Sequence, residues 1–76
     1  MRLLRNYGVY KLPEHVRQVY AVRAGDGAYL FYDRELGPAI PPRFKAFPDG
    51  RVRNWHGDFI PWSTEDFLDT GETRDL

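Results

Sequence analysis

The chain has 76 residues, eleven basic and eleven acidic side chains, no cysteine, and aromatic residues at 16% of its positions. That is a single domain, held without disulfides or thiolate-bound zinc, and its zero net charge lacks the strongly basic footprint of a dedicated nucleic-acid or membrane binder. A chain this short buries only about 60% of the surface its unfolded form exposes, so the five Tyr, five Phe and two Trp are needed either as the core or as a contact surface.

Residues 3–12 read as a first strand. Val9 and Tyr10 favour extended backbone, Gly8 marks a bulge or a close backbone approach, and Pro13 ends the segment. Residues 14–24 are open to two assignments. Pro13 can start a helix with Val16, Val19 and Tyr20 at helical spacing, and Gly25 can cap its end. Against this, Val16, Val19, Tyr20 and Val22 are β-formers, and Gly25-Asp26-Gly27 is a hairpin turn. The hairpin is favoured, with residues 16–24 paired to residues 28–33. Its apolar residues fall on both faces, which places it at the buried centre of a sheet.

Residues 37–42 contain Pro38, Pro41 and Pro42 and read as a stiff crossing outside any sheet interior. Phe47-Pro48-Asp49-Gly50-Arg51 then gives the clearest local signal, a three-residue turn pairing Phe47 with Arg51, Lys45 with Arg53 and Arg43 with Trp55. His56-Gly57 turns the chain into a short strand around residues 58–60, ended by Pro61. Ser63 with Asp66 forms a capping box, Trp62 and Phe67 a hydrophobic staple, and Gly71 a stop, so a short C-terminal helix is expected. Residues 1–71 are expected to form the domain and residues 72–76 a frayed polar tail.

The fold class is therefore mainly β. The expected architecture is a small antiparallel sheet, or a partly open barrel of SH3-like or OB-like kind, with five to six short strands and a short C-terminal helix. An α+β sheet with the helix on one face is the alternative. The longest apolar run, residues 28–32, is far short of the ~20 residues that span a bilayer. No signal-peptide pattern is visible at the start. A cytoplasmic protein without a membrane partner is the default expectation.

Charge is uneven along the chain. Residues 1–57 carry ten basic and five acidic side chains, and residues 58–76 carry one and six. In the hairpin register above, Arg43, Lys45, Arg51 and Arg53 share one face, with Phe47 and Trp55 at its ends. Lys45 directly opposite Arg53 breaks a pairing rule of sheets, and such breaks often mark function. Cations between aromatics suit phosphates and stacked bases, hence binding of RNA or another single-stranded nucleic acid. The same pattern also suits a solvated edge, and the acidic Glu65, Asp66 and Asp69 are candidates to lie over it.

Catalysis and metal binding find less support. His15 and His56 are the only histidines and nothing ties them together, so no metal or cofactor is expected. Ser63, the only serine, is explained by capping, and Asp33 and Glu35 read as solvated strand-end charges, so no enzyme is expected. The leading expectation is a non-catalytic protein-interaction domain, self-association included. An exposed aromatic patch such as Tyr29, Phe31 and Trp55 would anchor it. Nucleic-acid binding through Arg43, Lys45, Phe47, Arg51, Arg53 and Trp55 is the alternative.

Overall fold

Period-two alternation broken at turn residues folds the described residues into seven antiparallel strands. They are β1 (Gly8–Lys11), β2 (Gln18–Arg23), β3 (Tyr29–Asp33), β4 (Phe44–Ala46), β5 (Arg51–Asn54), β6 (Phe59–Ser63) and β7 (Leu68–Thr73). The computed structural model describes residues 4–13 and 17–75; Leu3, His15 and Val16 lie outside them. The strands form one open sheet in the order β6-β5-β4-β3-β2-β1-β7. The fold is mainly β as expected, with one or two strands more than the sequence indicates. Among the described residues no helix is long and apolar enough to cross a membrane.

The β2–β3 hairpin runs from Val19 opposite Asp33 to Arg23 opposite Tyr29. Ala24 N–H donates to the Ala28 carbonyl at 2.8 Å to close it. The β-forming valines and the glycine turn thus prevail over the helical spacing. Residues 37–42 hold one 3₁₀ turn, Gly37–Ala39, before β4 pairs with β3.

The expected C-terminal helix does not form. The capping box is present, with Ser63 N–H donating to the Asp66 carboxylate at 2.7 Å, but it starts a single 3₁₀ turn, Thr64–Asp66. From Leu68 the chain is a strand paired with β1. A two-turn helix has too few internal bonds to outcompete a free sheet edge. Gly71, at φ +82°, serves a bulge in β7 instead of a helix stop. The strand continues through Glu72 and Thr73, where the sequence pattern suggests the start of a frayed tail.

The link from β6 to β7 constrains the whole sheet. Seven strands laid flat would set the outer two about 29 Å apart. Ser63 and Leu68 are five residues apart and span at most about 18 Å. The sheet must therefore curl until its two edges approach, and the near-equal dimensions of 29 × 26 × 24 Å reflect this.

Phe67, in that link, is fully buried at the centre of the curl. Its ring stacks on Phe31 at 4.6 Å and meets Trp62 edge-on at 6.1 Å, which is the expected staple. Phe44 lies 6.2 Å from Phe67 and Tyr10 lies 6.2 Å from Phe31. Leu4, Leu12, Val19, Ala21, Ala46 and Val52 complete the buried cluster. Outside the curl, Tyr20 is buried as well, stacked on Tyr32 at 5.6 Å and covered by the Arg74 guanidinium at 4.7 Å.

Asp33 is not the solvated charge its position at a strand end implies. It is 3% exposed. Its carboxylate accepts the N–H groups of Glu35 and Leu36 at 2.9 and 3.0 Å and the Arg17 guanidinium at 2.9 Å. Arg43 stands 3.7 Å away. Burial pushes the carboxyl up, but the Leu36 and Glu35 N–H groups and Arg17 outweigh it and hold the group below the usual range.

Two outcomes are expected. Phe67→Ala should cost about 3–5 kcal/mol in urea unfolding. Because the Asp33 carboxyl is more acidic folded than unfolded, its stabilisation is complete above the unfolded value. It is lost as pH falls through the lower folded value. Asp33→Asn should cost about 2 kcal/mol at neutral pH, and it should flatten the acid limb of the stability–pH curve.

Candidate interaction face

Hairpin β4–β5 takes the register the sequence indicates: Phe44 opposite Asn54, Lys45 opposite Arg53 and Ala46 opposite Val52. The turn is closed by Phe47 N–H on the Arg51 carbonyl at 2.8 Å and Gly50 N–H on the Phe47 carbonyl at 2.9 Å. Gly50 sits at φ +94°, a conformation that favours glycine. Ala46 and Val52 are buried inside the curl and Phe44 packs against them. Strand alternation accordingly sets Lys45 and Arg53 on the outer face.

The juxtaposed cations are reconciled by an aromatic ring. Lys45 Nζ lies 5.2 Å and the Arg53 guanidinium 5.3 Å from the centre of Phe47, so both are attracted to the electron-rich π system of one ring. Lys45 is also bonded to Asp26 at 3.1 Å. Arg51 is bonded to Asp49 at 2.8 Å and lies 4.6 Å over the ring of Phe59.

Phe59 belongs to this face, although the hairpin pattern alone does not include it. It stands opposite Arg53 in the β5–β6 pair, 53% exposed, with its ring 5.6 Å from Phe47. The available signal is alternation within the short strand after His56-Gly57, where Phe59 and Ile60 must face opposite ways. Asn54 N–H on the Asp58 carbonyl, 2.9 Å, and Asp58 N–H on Asn54 Oδ1, 3.0 Å, set that register.

The other candidates separate from this group. Arg43 turns towards Asp33. Trp55, 60% exposed in the turn after β5, does not pair with Arg43 in the sheet. It borders a shallow groove of about 340 Å³ with Ile40, Pro42, Arg43 and Phe44. Tyr29 and Phe31 are not an exposed patch: Phe31 is core, and the half-buried Tyr29 donates its hydroxyl to the Leu4 carbonyl at 2.9 Å. Both lie on the concave side, which the continuous apolar run conceals.

Of the acidic residues expected to lie over the basic hairpin, Asp66 and Asp69 are engaged elsewhere, while Glu65 shares a shallow concavity with Asp49 and Arg51 beside the hairpin turn. Asp66 serves the capping box, Asp69 pairs with Arg5 at 3.1 Å and Glu72 with Arg34 at 2.8 Å. The compensating charges come from turns. The Asp26 carboxyl is lowered first by the Ala28 N–H and then by Lys45, and that of Asp49 chiefly by the Arg51 N–H. Among the described residues Arg53 alone of the four hairpin cations has no carboxylate within ion-pair distance. Among the described residues no three His, Asp or Glu side chains gather as metal ligands.

Both free sheet edges are irregular. β6 bulges against β5 between Arg51 and Val52 and carries Pro61, which has no N–H to offer. β7 bulges against β1 between Gly8 and Tyr10. Such features oppose the addition of another strand.

Phe59→Ala removes a ring that is over half exposed, and Arg53→Ala removes a half-buried side chain in contact with the Phe47 ring. Each should change stability by no more than about 1 kcal/mol, which shifts thermal melting by at most about 4–8 °C in a domain of this size. Set against known protein families, characterised proteins and solved structures, the chain finds no match in any of the three.

Proposed function

We propose that the chain is a non-catalytic recognition domain that binds a protein partner on the outer face of β4, β5 and β6. The observation that carries this reading is the pair Phe47 and Phe59, set on the solvent side of the sheet with Lys45, Arg51 and Arg53 stacked on their rings. Aromatic and arginine side chains dominate the binding energy of protein interfaces. Here they are ordered before any partner arrives, which lowers the entropic cost of contact. The irregular edges favour contact through the face over strand pairing, including strand pairing between two copies.

Single-stranded nucleic acid is the weaker reading. Asp26, Asp49 and Asp33 already stand beside Lys45, Arg51 and Arg43, and a phosphate backbone would have to displace them or tolerate them.

The test is affinity capture from the source cells with the unmodified protein, Phe59→Ala and Arg53→Glu as baits. Proteins retained by the first and lost with both variants are expected. Equal retention by all three would sink the proposal. Anisotropy of labelled single-stranded RNA and DNA at low and moderate salt provides the counter-test. Salt-sensitive binding lost in an Arg51→Glu, Arg53→Glu variant would replace a protein partner with nucleic acid.

A further inference from the structure

Resting on that reading, we infer that the partner presents an acidic segment, with one carboxylate seated on Arg53 and an apolar side chain within two residues of it packed on Phe59. The charge balance of the face leads to this. Among the described residues of β4, β5 and β6, Lys45, Arg51 and Arg53 are the cations of the outer face, and the turn carboxylates Asp26 and Asp49 bond to the first two. One positive charge remains, on Arg53. A single carboxylate completes the balance. A run of phosphates would exceed it and would meet Asp26 and Asp49 at close range.

Geometry favours the same occupant. Arg53 is in the middle strand of the three, opposite Lys45 on one side and Phe59 on the other. Its guanidinium is steadied by the Phe47 ring at 5.3 Å, so its planar fork is ordered for a carboxylate before binding. Phe59 is one strand further out, and its ring is over half exposed. Neighbouring strands are about 4.8 Å apart, and an extended peptide advances about 3.3 Å per residue. An acidic residue and an apolar one or two positions along can therefore reach Arg53 and Phe59 together. Other exposed features offer less. The Trp55 groove holds Arg43, but that cation already faces Asp33. The exposed Leu68 on β7 stands opposite Lys11, whose flexible ammonium lacks the planar fork of arginine.

The test is selection of random twelve-residue peptides displayed on phage against the unmodified protein, with Arg53→Glu as the counter-selection. Enriched sequences should carry Asp or Glu within two residues of Leu, Ile, Phe or Trp. A synthetic peptide of the leading sequence should lose at least tenfold in affinity when its acid is changed to the amide. It should lose a similar factor against Arg53→Glu or Phe59→Ala, and less against Arg53→Lys, which keeps the charge without the fork. Sequences without acids, equal binding by the amide peptide, or no enrichment would each overturn the inference. If none of this appears while captured proteins still depend on Phe59 and Arg53, the recognition face stands and its acidic partner falls. A mass that rises with concentration in sedimentation, lost in Phe59→Ala, would make a second copy the occupant and overturn the inference as well.

Discussion

Ser63 and Leu68 stand at opposite ends of a seven-strand order yet only five residues apart, and most of the architecture answers to that tether. A sheet whose ends are tied so closely cannot stay flat. Once it curls, one face becomes an enclosed interior and the other a convex outer surface. Phe67 lies in the tether itself, so the residue that closes the curl also fills it, against Phe31, Phe44 and Trp62. No disulfide or metal-bound cysteine is available to a cysteine-free chain. Aromatic packing around one covalent constraint takes that role.

The convex surface arises from the same geometry. The hairpin puts its small and apolar residues, Ala46 and Val52, into the interior, and its long cationic residues are left outside in opposition. That arrangement would be repulsive on a bare sheet. Phe47 and Phe59 convert it into a set of stacked cations and rings, while Asp26 and Asp49 reach in from adjacent turns. The cost of placing like charges together is offset locally, and among the described hairpin cations only the Arg53 guanidinium has no carboxylate at ion-pair distance.

The features legible in the sequence are local ones. The Gly25-Asp26-Gly27 and Pro48-Asp49-Gly50 turns fix the registers of their hairpins because turn chemistry acts within a few residues. The Ser63 and Asp66 capping box is legible for the same reason, but its strength misleads, since a helix start signal does not set how far the helix runs. β7 depends on β1, and its bulge at Gly71 breaks the alternation that would announce a strand. The burial of Asp33 is hidden because the groups that hold it include Arg17 and Arg43, distant in the chain. Of the interaction face, Lys45, Phe47, Arg51 and Arg53 are visible in a single hairpin. Phe59 is not, because its membership depends on a third strand, and Trp55 joins them only if the pairing is extended one step too far.

The partnership of β1 and β7 also governs the order in which the domain can assemble. Thr70 Oγ donates to the Val9 carbonyl across a separation of 61 residues, whereas the β2–β3 and β4–β5 hairpins each close within a short loop. Contacts between remote residues are entropically expensive until nearer ones have shortened the path between them. The meander from β1 to β6 must therefore largely exist before β7 has a place to go. β1 precedes β7 in the chain, so its outer edge stays uncovered until β7 pairs with it, and burial of Phe67 accompanies that closure. Until then β1 keeps an unpaired strand edge, the kind of edge that invites capture or aggregation.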